Sequence, residues 1–356
     1  MLVPATMLST LTDRRVRGSM PAPRNRPTLR DIAARAGVSE TAASFALNGK
    51  PGVSEKTRRR VLDIVEELHW TPNHAAQVLS GARSMTIGLA VARNAQEVGS
   101  ELFFLRLMTG MHTVLSRNRY GLLFQVVDSV GDELDLYRRW SDERRVDGVV
   151  LVDLRTDDPR PRVVNELGLP AILAGGPDPS GTVPAVSIDD AAAMRSVMEY
   201  LRDRGHTRVA YVSGSPTLLH VHRRVEAFLR SGRDYRLEAA DVLQTDFSAP
   251  SAVRATQRLL ATDSRPSAVI YDNEVLAVAG MGVIHAAGLR VPADVAIVAC
   301  EDTPICAAVQ PALTALHRDT SGFGADVAGH LLNLLDGNED HGGQEKTPEL
   351  VVRAST

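Results

Sequence analysis

Between Thr28 and Asn48 two short helical patterns are separated by a single glycine, and a chain written this way has few folds open to it. Thr28 is a good N-cap with Asp31 three residues on, as in a capping box, and Gly37 falls where a helix needs a left-handed residue to stop. The first helix therefore ends at Ala36. Ser39 caps the second, in which Ala43, Ala46 and Leu47 recur at helical spacing and pack toward Ile32, Ala33 and Ala36. Glu40, Thr41, Ser44 and Phe45 remain on other faces. Asn48-Gly49 ends that helix, and Ser54 caps a third whose Val61, Ile64, Val65 and Leu68 complete a small core. One packed face and a free N-terminal turn suit a helix that enters the major groove of DNA. The pattern alone leaves an ordinary three-helix bundle equally open.

The next segment, Trp70 to Gly81, has Pro72 at a helix N1 position, small residues at Ala75 and Ala76, Leu79 four positions after Ala75, and Gly81 where a C-cap falls. Such a helix is too short to be stable alone. Pairing with its twin across a dimer, on a minor groove that Leu79 wedges open, gives it a reason to exist. The plain alternative is a linker helix.

Residues 28 to about 88 resemble the DNA-binding headpiece of the lactose-repressor (LacI/GalR) family. The words that carry the resemblance are Ala36-Gly37-Val38-Ser39, Leu47-Asn48, Val53-Ser54 with Thr57-Arg58, Trp70-Thr71-Pro72-Asn73 and Ala75-Ala76-Gln77-Val78-Leu79, in the family's order and spacing. The resemblance implies that Glu40 and Thr41 read bases with Ser44 and Phe45 beside them. It implies that Ser39, Asn48, Ser54 and Thr57 hold phosphates, that Thr28 opens the module against DNA, and that Asn73, Ala76, Gln77 and Leu79 form the hinge contact. Where the family commonly has Thr-Val-Ser-Arg this chain has Ala42-Ala43-Ser44-Phe45. A ring can touch a thymine methyl, but it cannot make the bidentate contact to guanine that an arginine makes. The operator sequence of better-known relatives therefore does not transfer.

Charge divides along the chain in the same sense. Residues 1–85 carry 13 Lys and Arg against 7 Asp and Glu, leaving 27 against 36 for the rest of a chain whose formal charge is −3. A basic headpiece precedes an acidic body, so DNA binding should weaken steeply with salt. The run Arg58-Arg59-Arg60 reads as a solvated helix face.

A body of about 270 residues is long enough for two lobes. Two cysteines, Cys300 and Cys306, make no disulfide framework, which points to a reducing cytoplasm, and a DNA-binding protein there is expected to be nucleoid-associated. Nothing resembles a membrane span. Residues 1–27 lack an apolar core between their arginines, so they are a poor secretory signal. They read as a disordered basic arm, or the true start is Met20.

Along the body, apolar runs at 86–91, 121–127, 146–151, 170–173, 208–212, 267–271 and 295–299 alternate with helical patterns near 102–118, 133–143, 190–204, 222–231, 250–261, 274–288 and 321–335. Alternation of this kind implies parallel sheets covered by helices on both faces, with ligands held at the carboxyl ends of strands. Ser187-Ile188-Asp189-Asp190 reads as a crossing between two halves. The fold class is an all-α helix-turn-helix headpiece with a hinge helix, followed by an α/β, two-lobed effector domain. The expected divisions are 28–70 for the headpiece, 71–84 for the hinge and 85–356 for the body. Lobe 1 takes about 85–187 and 317–345, and lobe 2 about 188–316 and 346–356.

The family resemblance extends over the body through Phe103-Phe104, Val146-Asp147-Gly148-Val149, Ile188-Asp189, Arg204-Gly205-His206-Thr207, Gly288 to Val295 and Pro311 to Thr314. It implies a domain like the type I periplasmic binding proteins. It also implies an effector site with Phe103 at its edge, Arg224 holding hydroxyls or a carboxylate, Asn273 and Glu301 after their strands, and Phe247 stacking on a sugar face. Two pieces depart from the family pattern. Gly175 stands where an Asp follows the fourth strand, and Thr320 stands where an aromatic is usual, which puts a typical sugar effector in doubt.

Catalysis has no candidate constellation. Gly322-Phe-Gly324 and Gly280-Met-Gly282 lack the third glycine of a dinucleotide loop, and no Walker loop or nucleophile elbow occurs. Close helix packing accounts for those glycines. His220 and His222 have no further ligand at metal spacing and read as a surface loop. No cofactor or metal is expected. The sequence thus reads as a dimeric transcription factor, most simply a repressor, that binds a near-palindromic double-stranded operator and answers to a small-molecule effector, a sugar or related metabolite. Symmetric dimerisation is the common default, and a chain that ends without an apolar heptad tail favours a dimer over a tethered tetramer. The rivals are a DNA-binding dimer with a ligand-inert core, and a solute-binding protein that does not touch DNA.

Overall fold

A computed structural model describes residues 27–47, 49–70 and 83–356. The chain divides into two compact units, Met1–Gly81 and Ala82–Thr356.

The first unit contains α1 (Leu29–Ala36), α2 (Glu40–Leu47) and α3 (Glu55–Glu67). Thr28 and Asp31 form the capping box, and Gly37 stops α1 at φ 62°, a conformation that costs a residue with a Cβ but not glycine. Ile32, Ala36, Ala46, Val61 and Ile64 bury the shared core, with Val38, Leu47, Val53, Val65, Leu68 and Trp70 packed around it. Arg58 is more than a solvated cation. Its guanidinium donates to the carbonyls of Ala46, at 3.4 Å, and Lys50, at 3.1 Å, so it ties α3 to the end of α2. Its neighbours Arg59 and Arg60 are exposed.

In the second unit two six-stranded sheets stand side by side. Their strands are β1 (Thr86–Ala92), β2 (Gly121–Val127), β3 (Gly148–Leu151), β4 (Ala171–Gly176), β5 (Ala185–Ile188), β6 (Arg208–Ser213), β7 (Ala239–Gln244), β8 (Ala268–Tyr271), β9 (Ala296–Ala299), β10 (Thr314–His317), β11 (Gly342–Lys346) and β12 (Glu349–Val351). The order is β11-β5-β4-β3-β1-β2 in lobe 1 and β12-β10-β9-β8-β6-β7 in lobe 2. Every pair is parallel except β10 with β12. The chain passes between lobes three times: from β5 into lobe 2, from β10 back to lobe 1, and from β11 to β12.

The helices between them are α4 (Ala95–Ser100), α5 (Leu102–Arg117), α6 (Val130–Asp142), α7 (Arg160–Glu166), α8 (Asp190–Asp203), α9 (Leu219–Asp234), α10 (Ala249–Leu260), α11 (Glu274–Ala286), α12 (Pro304–Ala308) and α13 (Thr320–Leu335). Each sheet has a core on both faces, and its central strands are continuous apolar runs, as burial on two sides requires. Strands β5, β7, β10, β11 and β12 escaped the apolar-run reading because they are short or polar. Helices α4, α7 and α12 are too short to show a period.

Of the glycines singled out in the sequence, Gly324 is helix packing, and Gly110 opposite it is packed in the same way, whereas Gly322 lies against the capping Asp319. A Cβ on Gly110 of α5 would collide with the Ser321 carbonyl, and one on Gly324 of α13 with the Leu107 carbonyl. A Cβ on Gly280 would strike the Tyr271 ring, whereas Gly282 faces open space, so packing does not explain it.

Candidate functional site

Two surfaces carry the chemistry. In the first unit, the N-terminal turn of α2 is free: Ser39, Glu40 and Thr41 are exposed, while Ala43 and Ala46 are buried. Ser39 accepts the Ala42 N–H at 3.1 Å, and Ser54 accepts the Thr57 N–H at 3.2 Å. Helix starts capped in this way present backbone donors and a positive dipole end, which suit phosphate oxygens. Phe45 is half-buried, facing Gly52, with the Lys50 ammonium 6.0 Å from its ring centre. Its ring serves the loop after α2 as well as any outward contact. Asn48, Asn73, Ala76, Gln77 and Leu79 lie outside the described residues.

The second surface is a cleft at the carboxyl ends of the strands, between the lobes of the second unit. Phe103, Arg224, Phe247, Asn273 and Glu301 all line it, together with Arg93, Glu101, Asp153, Asp190, His220, Asp272, Glu274 and Arg318. The lobes are tied across it. The Leu219 N–H donates to the Leu154 carbonyl at 2.8 Å, and Arg106 donates to the Asp302 carbonyl at 3.1 Å. Arg223 donates to the carbonyls of Gly176 and Pro177. The space left is about 80 Å³, room for several waters at roughly 10–15 Å³ each.

Phe247 sits at φ 66°, a backbone conformation few side-chain-bearing residues take, with its N–H donated to the Thr245 hydroxyl at 3.3 Å. Its ring lies where any side chain on Gly214 would be. That strain, held by its surroundings, turns the ring into the cleft. Both candidate stacking rings are already covered by a guanidinium, that of Phe247 from the opposite lobe. Arg93 of lobe 1 lies 4.7 Å from the Phe247 ring centre, and Arg318 lies 4.9 Å from that of Phe103.

Arg224 is buried at 6 % exposure and does not wait for a ligand's charge. Its Nε and Nη2 donate to Asp190, at 2.9 and 2.6 Å, and its Nη1 to Asp272, at 2.6 Å. Asp272 also accepts from the Tyr211 hydroxyl and the Gly214 N–H. A carboxylate ligand would therefore meet a neutralised guanidinium. Of the two ligand groups expected for Arg224, hydroxyls are the better match to its remaining N–H groups.

Arg93 pairs with Glu101 at 2.8 Å and Asp153 at 2.7 Å, and Arg318 pairs with Glu301. Among the residues that line the cleft six carboxylates face three guanidiniums, and Arg106 and Arg223 lie beside them. Glu274 is 5 % exposed and forms no ion pair among the described residues. Burial, with Glu301 adding repulsion, pushes its carboxyl up to about 7. Glu101 is raised to about 7 by burial as well, against the pull of Arg93.

His220 is a residue that sequence reasoning misplaced. It begins α9 and lines the cleft instead of lying in a surface loop. Enclosure, then Arg224, Arg93, Arg318 and Arg223 in turn, holds its pKa well below the usual value. It is a neutral ring with one donor and one acceptor. Arg93 and Glu101 were missed too, because nothing local marks a charged residue as facing inward, whereas Glu274 was marked by the family likeness of Asn273-Glu274.

Gly175 has φ 105° with open space around its Cα, and Thr320 is buried with its hydroxyl unpartnered. Asn273 accepts the Leu276 N–H at 2.9 Å as the cap of α11, so part of its role is structural. Cys300 and Cys306 are buried free thiols. Among the described residues no group of three His, Cys, Asp or Glu can hold a metal, and no helix is long and apolar enough to cross a membrane.

Residues 28–73 match the family described as bacterial regulatory proteins, lacI family, and residues 198–356 match a periplasmic binding protein-like domain. The chain is 32% identical over 320 residues to the HTH-type transcriptional regulator CelR of Thermobifida fusca, covering 88% of this chain and 93% of that one. It is 28% identical over 312 residues to catabolite control protein A of Priestia megaterium, covering 86% and 91%. Among solved structures, a transcriptional regulator CelR-cellobiose complex aligns with a TM-score of 0.72 at 29% identity, over 93% of this chain and 100% of that one. The lac repressor dimer bound to operator and the anti-inducer ONPF aligns with a TM-score of 0.77 at 25% identity, over 92% and 98%.

Proposed function

The chain belongs to the lacI family of bacterial regulatory proteins, and from that premise we propose that it is a dimeric repressor whose two headpieces bind a near-palindromic operator under control of a small effector in the cleft. The observation that carries this reading is the exposed N-terminal turn of α2 on a capped three-helix module. Glu40 and Thr41 read bases, with Ser44 and Phe45 flanking them, and Ser39, Ser54, Thr57 and the start of α1 at Thr28 hold the backbone. The hinge contact of Asn73, Ala76, Gln77 and Leu79 is inferred from sequence. The site of action is the cytoplasm, at the nucleoid.

Dimerisation is supported by an apolar groove on lobe 2, between α10 and α11, lined by Val253, Leu260, Ala279, Val283, Ala286 and Ala287. The relative solved with cellobiose supports a sugar or similar metabolite as effector. Such a ligand needs more room than the closed cleft gives, so binding must part the lobes or move Arg93. A ligand shifts the protein between DNA-binding and released states only by its difference in affinity for them.

Selection of bound duplexes from a random pool tests the DNA reading. A recurring, two-fold symmetric motif is expected, and its absence at low salt, with and without sugars, overturns it. Leu79→Ala should weaken operator binding far more than non-specific binding; equal loss of both would remove the wedge. A second reading, an inert cleft, is favoured by the arginines that already fill it. Thermal-shift screening against sugars, nucleosides and small acids decides between them, because a ligand of the folded form raises its melting temperature.

A further inference from the structure

The charges of the cleft do not close. Five of its six carboxylates have an arginine: Glu101 and Asp153 share Arg93, Asp190 and Asp272 share Arg224, and Glu301 has Arg318. Glu274 has none within ion-pair distance, Arg106 and Arg318 acting on it only from farther off, although it is 5 % exposed and lines the cavity. A buried carboxylate without a counter-charge is expensive, so Glu274 holds its proton until something supplies a positive charge beside it.

The rings add to the imbalance. To reach Phe247 a ligand must displace Arg93, whose guanidinium lies over that ring. Moving Arg93 strips Glu101 and Asp153 of their only ion-pair partner among the described residues. A neutral ligand that did so would leave three carboxylates of the cleft uncovered, and an anion would do worse. A ligand that brings a positive charge restores the balance, and a cation beside Phe103 or Phe247 keeps the ring–cation contact that the arginines now make.

We propose that the cleft takes an amine-bearing ligand of sugar size, with its ammonium group seated against Glu274, in preference to a neutral sugar or an anion. This rests on the effector reading above and gives that effector its chemical class. His220, held neutral, and the free N–H groups of Arg224 are left to meet the ligand's hydroxyls. Gly175 fits the same logic, since a further carboxylate there would deepen an existing surplus.

The test is calorimetric titration of the full-length protein at neutral pH with matched rings: glucose, glucosamine and glucuronate, then cellobiose and the β-1,4-linked disaccharide of glucosamine. The amine-bearing member of each set should bind at least about tenfold tighter than its neutral counterpart, the worth of one charge-assisted hydrogen bond. Glucuronate should not bind. Glu274→Gln, which keeps shape and removes charge, should cut the preference to about threefold or less, with a melting curve on the same protein showing that it is folded. Equal or tighter binding of glucose or cellobiose overturns the proposal and leaves the effector reading standing. So does a preference that survives in Glu274→Gln. If no member of the panel binds, this proposal falls, and the wider thermal-shift screen alone judges whether the cleft has any effector.

Discussion

Glu274 shows how one residue sets a property of the whole body. Its carboxyl is raised from an ordinary 4.5 to about 7, first by burial and then by Glu301. Between those values the folded chain keeps a proton that the unfolded chain has lost. Stability from this group is therefore fully present below about 4.5 and disappears as the pH climbs through about 7. Glu101, also raised to about 7, acts in the same direction. Glu274→Gln should accordingly melt higher than the parent protein at pH 8, by about 2–4 °C, and at nearly the same temperature near pH 5. Scanning calorimetry at the two pH values checks this. A variant that melts lower at pH 8 would mean that the carboxylate is stabilised there by partners other than those described.

At the level of elements, the α5–α13 crossing is a contact that admits only glycine. The backbones meet at Gly110 and Gly324, each of which faces a carbonyl of the other helix. Gly324→Val should destabilise the body by about 1–3 kcal/mol, or stop it folding, because the overpacked backbone has no flexible side chain to yield. Gly282→Ala, on the groove face of α11 with open space around it in the single chain, should leave the stability of the protomer unharmed or raise it by about 0.5–1 kcal/mol. Urea melts of the two variants side by side distinguish packing from mere helix propensity. In the headpiece, Arg58 does for α2 and α3 what those glycines do for α5 and α13. Arg58→Ala should loosen the Ala46–Lys50 turn and cost about 1–2 kcal/mol, the worth of hydrogen bonds from a charged donor. Thermal unfolding of an isolated headpiece peptide is not needed to see it, since operator affinity of the full chain reports the same turn.

For the molecule as a whole, charge and symmetry are the quantities to measure. With 13 basic against 7 acidic residues in positions 1–85 ahead of an acidic body, the protein should lose DNA affinity steeply with salt. A flat salt response would mean that phosphate contacts are few. If the groove between α10 and α11 is where two copies meet, Val283→Asp places a charge in it and should leave a monomer in sedimentation. Operator affinity should then fall as well, because each headpiece would bind its half-site alone. A variant that remains dimeric moves the interface elsewhere.

The capped helices of the headpiece and the central strands of both sheets could be read from the chain, because caps, αL glycines and runs such as Ala268–Tyr271 are local facts whose cause lies within a few residues. Phe103, Arg224, Phe247, Asn273 and Glu301 could be gathered only through family likeness, since they are up to about two hundred positions apart. Partnership was beyond that reading. That Arg224 is spent on Asp190 and Asp272, that Arg93 reaches across to Phe247, and that Glu274 is buried without a counter-charge depend on which charged groups the fold brings within a few ångströms. Electrostatic energy in a low-dielectric cleft is decided by those distances, and no spacing along the sequence encodes them.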